Sequence, residues 1–195
     1  MTRSNWGVLL ILLLGLQQLS GQVKYEREYR IRKAQFPEAA LQVLDSRLDG
    51  VRRLRFYREV DSNRISYAVK FKKARLHYSV GFTQEGELED VEFHITPVDI
   101  PEESWGSIQA ELTDRFGRHK VREIRQQYPR AAFVSVEQTL RNAFQNLLLP
   151  ERNYRLVLRV RNDRGSMPYE ALFDADGKLL KLRKALPANY DHILY

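Results

Sequence analysis

The chain has 195 residues, a formal net charge of +7, 43% hydrophobic and 11% aromatic residues, and no cysteine. That apolar content excludes a disordered chain, and the length admits one large or two small domains. Without thiols there is no disulfide, no Cys nucleophile and no acylated N-terminal Cys, so burial alone must hold the fold.

The N-terminus reads as a secretory signal over residues 1–21. Arg3 supplies the positive region, residues 8–16 are apolar, and Leu19-Ser20-Gly21 offers small residues for cleavage before Gln22. The apolar run stops at Gln17-Gln18, short of the roughly 20 residues a spanning helix needs. The expectation is a periplasmic or secreted protein with no transmembrane segment after cleavage.

Residues 24–33 are charged and read as a short lead-in. Pro37 opens a helix whose stripe is Phe36, Ala40, Val43, Leu44 and Leu48, stopped by Gly50. Four alternating segments follow, around Leu54 and Phe56, then Ile65 to Phe71, Leu76 to Phe82, and Val91 to Ile95. Period-two alternation gives each strand one buried and one open face. Asp61-Ser62-Asn63 and Gln84-Glu85-Gly86 read as hairpin turns. After Pro97 and Pro101, the residues Trp105, Ile108, Leu112 and Phe116 make a second helical stripe, closed by Gly117. Residues 121–128 read as a strand and residues 131–148 as a further helix. Three strands follow, around Tyr154 to Val160, Tyr169 to Phe173, and Leu180 and Leu182. Residues 189–195 form a mixed tail, docked through Ile193 and Leu194.

The two halves share a pattern at a constant offset. Tyr78, Phe82, Gly86, Leu88 and Val91 fall on Tyr169, Phe173, Gly177, Leu179 and Leu182. Each set is a strand, a turn with a glycine for positive φ, and a strand. The helices admit two registers: Phe36-Pro37 resembles Tyr128-Pro129, and Arg47-Leu48 resembles Arg115-Phe116. The second is preferred because it equalises the strand count. The expected fold is α+β, with two tandem units at 22–98 and 99–195. Each is a helix on a roughly four-stranded antiparallel sheet, and the second carries an extra helix.

These segments resemble the PepSY-like family of exported bacterial proteins. The likeness is carried by Phe36-Pro37-Glu38-x-Ala40, the strand Tyr67-Ala68-Val69-Lys70-Phe71, the hairpin Tyr78-x-Val80-x-Phe82-x-x-x-Gly86-x-Leu88, Glu89 to Glu92, Asp99-Ile100-Pro101 and the final residues 190–195. The family includes proteins likened to beta-lactamase inhibitory protein, a tandem of helix-and-four-strand units. The resemblance implies a periplasmic or secreted binding or inhibitory role. The lack of cysteines departs from that inhibitor, and no functional residue transfers, because the matched positions are core and turn positions.

The search for chemistry is negative. Gly165-Ser166 lacks the G-x-S-x-G context, and no glycine-rich phosphate loop occurs. His77 and His94 fall on polar faces of neighbouring strands, with Glu92 the nearest carboxylate, and read as surface histidines rather than a metal site. Asp174-Ala175-Asp176-Gly177 lacks the remaining calcium ligands and reads as a turn. No enzyme activity, cofactor or metal is expected. Lys and Arg are dispersed and form no nucleic-acid motif, so a nucleic-acid partner is not expected either.

The open sheet faces are more informative. The first carries Arg53, Arg55, Tyr57, Lys70, Lys72 and His77, and the second carries Arg155, Val157, Arg159, Arg161 and Leu172. A solvated face is the ordinary reading of such charges. The functional reading is a basic surface for an acidic protein of the cell envelope, since Arg and Tyr are enriched in interface hot spots. The protein would then be an exported non-enzymatic binding module, an inhibitor or folding factor being the implied roles. The alternative is a binder of a small anionic ligand or metal between the units.

Overall fold

The computed structural model describes residues 23–24, 26–61, 64–162 and 165–185. The signal segment, the turn residues 62–63 and the tail 189–195 lie outside them. The elements run β1 (Val23–Lys24), β2 (Glu26–Ile31), α1 (Glu38–Leu44), β3 (Arg52–Asp61), β4 (Arg64–Lys73), β5 (Leu76–Thr83), β6 (Leu88–Ile95), α2 (Glu102–Phe116), β7 (His119–Pro129), α3 (Val136–Phe144), β8 (Asn153–Asn162), β9 (Gly165–Phe173) and β10 (Leu179–Ala185). This is an α+β protein with nine antiparallel strands in one sheet and three helices, to which β1 adds a short parallel pairing.

The strand order is β1-β10-β9-β8-β7-β6-β5-β4-β3-β2. Pairing of β6 with β7, Val91 opposite Tyr128 and Ile95 opposite Ile124, joins the two halves into one surface. The outer edges also meet. Val23 and Lys24 pair with Lys184 and Ala185 of β10, while Glu26 to Ile31 pairs with β3. Two residues apart, Lys24 and Glu26 are separated by no more than about 7 Å of chain, so the sheet curls until its edges approach. An ion pair from Arg183 Nη1 on β10 to Asp61 Oδ2 on β3, at 3.5 Å, spans the same junction. The predicted lead-in is therefore an edge strand. Its charges concealed the pairing because both of its sides lie at the margin of the sheet.

The apolar face splits into two cores. The first joins Phe36, Ala40 and Leu44 with Phe56, Val69, Phe71, Val80, Phe82, Val91 and Phe93. The second joins Ile108 and Leu112 of α2 with Ile124, Tyr154, Leu156, Leu158, Ala171 and Phe173. Helix α1 is shorter than its stripe suggested: it ends at Leu44, and Asp45–Arg47 continues as a 3-10 turn. Seven residues of helix extend only about 10 Å, whereas a ten-residue strand extends about 33 Å. Helix α3 supplies the missing cover. Leu140 and Ala143 are fully buried in the first core, and the Phe144 ring lies 5.3 Å from that of Tyr78. The predicted helix 131–148 is correspondingly divided. Arg130–Ala132 is a 3-10 turn, and Ser135 then caps α3, its Oγ accepting from Gln138 N at 3.1 Å.

Two turn glycines fix the hairpins against helices. Gly86 has φ +88° and packs so closely that a Cβ would lie 3.0 Å from Ala40 N and from Pro37 Cβ. Gly177 has φ +84°, and a Cβ there would lie 2.4 Å from the Ser104 carbonyl oxygen. In both cases positive φ and close approach require glycine.

Candidate functional site

Cross-strand register decides which side chains meet on the open face. One rung reads Arg55, Lys70, Ser79, Glu92, Gln127 and Asn153 across β3 to β8. A second reads His94, Arg125, Arg155 and Leu172 across β6 to β9. A third reads Glu123, Val157, Glu170 and Arg183 across β7 to β10. Arginines therefore stand diagonal to carboxylates.

Arg155 is the centre of that arrangement. Its Nε lies 2.6 Å from Glu92 Oε1, its Nη1 donates to Glu170 Oε1 at 3.1 Å, and its Nη2 lies 3.7 Å from Asp90 Oδ2. The Glu92 contact is off the hydrogen-bond direction, so its attraction is coulombic. Arg183 Nη2 donates to the same Glu170 oxygen at 3.0 Å. Arg125 donates to Glu123 and, at 3.4 Å, to Glu92 Oε2. The Glu92 side chain is only 7% exposed and that of Glu170 12%. A carboxylate that far from water is tolerable only when paired.

The paired carboxylates divide in their proton affinity. Burial and the neighbouring Glu92 charge push the Asp90 carboxyl up to about 6, against the pull of Arg155 and the Gln127 amide. Burial also pushes Glu92 up, but Arg155 and Arg125 outweigh it and hold Glu92 below its ordinary range. Burial depresses the His94 imidazole more than Glu123 raises it, its Oε1 being 3.6 Å from Nε2. Gly81 makes room for Asp90: a Cβ at this position would lie 2.7 Å from Asp90 Oδ1.

Beside this network lies an open cavity of about 500 Å³. It is lined by Arg53, Arg55, Lys70 and Arg125 and by the imidazoles of His77 and His94, and among the described residues no carboxylate lines it. Tyr57 supplies aromatic surface, with Lys70 Nζ 4.7 Å from the centre of its ring, while the Phe71 and Tyr78 rings are buried in the first core on the other face of the sheet. The imidazoles of His77 and His94 stand edge to face at 6.2 Å. Lys70 is paired with Glu28. Arg53 sits at a bulge between Arg52, opposite Lys72, and Arg55, opposite Lys70, with φ 57°.

The structure thus brings five of the predicted face residues, Arg53, Arg55, Tyr57, Lys70 and His77, around one cavity. Lys72 lies beside them, opposite His77. Arg155 is instead held in ion pairs, and Val157 and Leu172 are half-buried beside it. Arg159 and Arg161 are exposed farther along β8, opposite Pro168 and Ser166. Sequence reasoning did not single out Asp90, Glu123, Arg125 or Glu170. Their signal was parity: acidic residues share the open-face positions of β6, β7 and β9. Only the β6–β7 pairing shows which arginines they meet.

Asp174 Oδ1 accepts from the backbone N–H of Asp176 at 3.1 Å and of Lys178 at 2.8 Å. It serves the turn that Gly177 closes. Among the described residues, no group of three or more His, Asp or Glu is placed to hold a metal, and no helix is long and apolar enough to cross a membrane.

No protein-family model and no curated protein matches the chain. Solved structures do. A DUF2874 family protein from Bacteroides ovatus is 11% identical with a TM-score of 0.50, covering 76% of this chain and 87% of its own. A Bacteroides eggerthii protein, provisionally described as periplasmic, is 15% identical with a TM-score of 0.51, covering 80% and 93%. A BLIP-like protein from Bacteroides fragilis is 10% identical with a TM-score of 0.47, covering 82% and 92%. At these identities the first two are similar in fold, and the likeness extends over most of each chain.

Proposed function

We propose that this chain is an exported, periplasmic, non-enzymatic binding module of two tandem units, 22–98 and 99–195, whose partner is an acidic protein of the cell envelope. The duplication is supported by Gly86 and Gly177, which occupy matched turn positions and seat against α1 and α2 respectively. The periplasmic description of a protein with this fold supports the location.

One observation carries the binding reading: the distribution of uncompensated charge. In the second half, Arg155 and Arg183 are neutralised by Glu92, Glu170 and Asp61. In the first half, Arg53 and Arg55 are exposed and make no ion pair with a described residue. They stand next to half-buried Tyr57. A partner that brings carboxylates to this edge gains charge-assisted hydrogen bonds without breaking existing pairs. The contact surface is therefore centred on Arg53, Arg55, Tyr57, Lys70, Lys72 and His77, with Arg159 and Arg161 as peripheral cations.

The test is affinity capture from envelope extract with the chain lacking residues 1–21, eluted by a salt gradient, beside an Arg53→Glu/Arg55→Glu variant. The expected result is an acidic protein released at moderate salt and missing from the variant eluate. Equal capture by the variant, or no specific protein even after mild crosslinking, overturns the reading.

A further inference from the structure

Two imidazoles stand in the middle of a row of fixed positive charge. Across the open face Lys72 lies opposite His77, and His94 lies opposite Arg125, which is itself opposite Arg155. The His77 and His94 rings meet edge to face at 6.2 Å. Arg53, Arg55 and Lys70 line the same cavity. Like charges set opposite one another on neighbouring strands repel. The row is therefore tolerable while the two imidazoles are neutral and separate Lys72 from Arg125.

The carboxylates nearby are already engaged. Glu123 Oε1 lies 3.6 Å from His94 Nε2, but the same oxygen accepts from Arg125 Nε. Glu92, diagonal to His77 through its pairing with Ser79, is held by Arg125 and Arg155. Glu28 is paired with Lys70. Burial, Arg125 and His77 depress the His94 imidazole more than Glu123 and Glu92 raise it. The fixed cations also repel a divalent metal, which leaves gain and loss of a proton as the chemistry open to the pair.

A partner that brings carboxylates reverses this balance. The inference rests on the acidic-partner reading, in which such groups come to Arg53 and Arg55. Both histidines are exposed in the same cavity, so the same carboxylates reach them. A carboxylate favours the charged imidazole, and by linkage each proton gained favours the carboxylate equally. At about 6 Å and the dielectric of water, one added charge strengthens the contact about threefold and two strengthen it about tenfold.

We propose that His77 and His94 make binding on this face proton-linked, so that the acidic partner is held more tightly as the two rings protonate. Fluorescence anisotropy with a rhodamine-labelled deca-aspartate peptide tests it, on the full chain purified after export, at pH 8.0 and 5.5 and one low ionic strength. The gain in affinity on acidification is expected to be about tenfold larger in the wild type than in His77→Gln/His94→Gln. Asp90, whose carboxyl is pushed up to about 6, and the peptide titrate over the same interval, but both are common to the two proteins. Calorimetry at pH 6.0 in two buffers of different ionisation enthalpy is expected to show more proton uptake on binding by the wild type than by the double variant. An equal pH gain, or equal proton uptake, in the two proteins overturns the linkage. The acidic-partner reading survives that result if Arg53→Glu/Arg55→Glu still abolishes peptide binding. No peptide binding by the wild type at either pH overturns the linkage and that reading together.

Discussion

Replacing Asp90 by Asn changes charge and leaves shape almost untouched. Asp90 faces Gly81 across the β5–β6 ladder, accepts from the Gln127 amide, and lies beside Glu92. Burial and the Glu92 charge raise its carboxyl from 3.8 to about 6 in the folded protein. A raised acid binds its proton more tightly when folded, so folding stability falls as pH rises from about 4 to about 6 and stays low above that. At about 1.4 kcal/mol per unit, two units make the ionised Asp90 unfavourable by roughly 3 kcal/mol. The lost attraction to Arg155 at 3.7 Å is already contained in that balance, and Arg155 keeps Glu92 and Glu170. Asp90→Asn is therefore expected to stabilise the protein by about 1–3 kcal/mol at pH 7.5 and by much less at pH 4, where the folded carboxyl is protonated and the unfolded one, at 3.8, is only about half ionised. Urea unfolding at the two pH values, followed by circular dichroism, measures both. A variant less stable than wild type at pH 7.5, or a gain that is the same at both pH values, refutes the reasoning.

The turn glycines separate backbone strain from collision. Gly177→Ala places a Cβ 2.4 Å from the Ser104 carbonyl oxygen at φ +84°, whereas Gly50→Ala, at φ +69°, meets nothing within 4 Å. Thermal unfolding should show a loss of about 1–2 kcal/mol for Gly50→Ala, from conformation alone, and about 2–4 kcal/mol for Gly177→Ala, where overpacking adds to it. Within the ion network, Glu170→Gln keeps the shape but leaves Arg155 and Arg183 without their shared charge. It is expected to cost about 2–4 kcal/mol at neutral pH in denaturant titration, and an unchanged midpoint contradicts the central role given to that carboxylate.

Local patterns made much of the fold legible. The period-two runs at β4, β5 and β6 and the three-four stripe of α2 depend only on neighbouring residues, and the structure places them where the patterns do. The glycine turns were legible for the same reason, since a positive φ is a local demand. The division of 131–148 into a 3-10 turn and α3 was not, because its residues serve the core of the other half. Leu140 and Ala143 look like a generic apolar face until Phe71, Tyr78 and Phe93 are seen beneath them.

The open face shows the same division. Alternation by itself determined that Arg55, Lys70, Arg155 and Arg183 point away from the helices, because side-chain direction in a strand is fixed by parity. It also determined that an exposed basic set accompanies Tyr57. Only the tertiary structure decided which of those charges are spent. Strand order is a long-range property: β6 meets β7 across α2, and β10 meets β3 only because residues 23–31 bridge the two edges of the sheet. The β6–β7 pairing sets Glu92 against Arg155 and the closure sets Asp61 against Arg183, while Arg53 and Arg55 make no ion pair with a described residue. Coulombic neutralisation depends on distances between residues remote in the chain, and no local pattern encodes those distances.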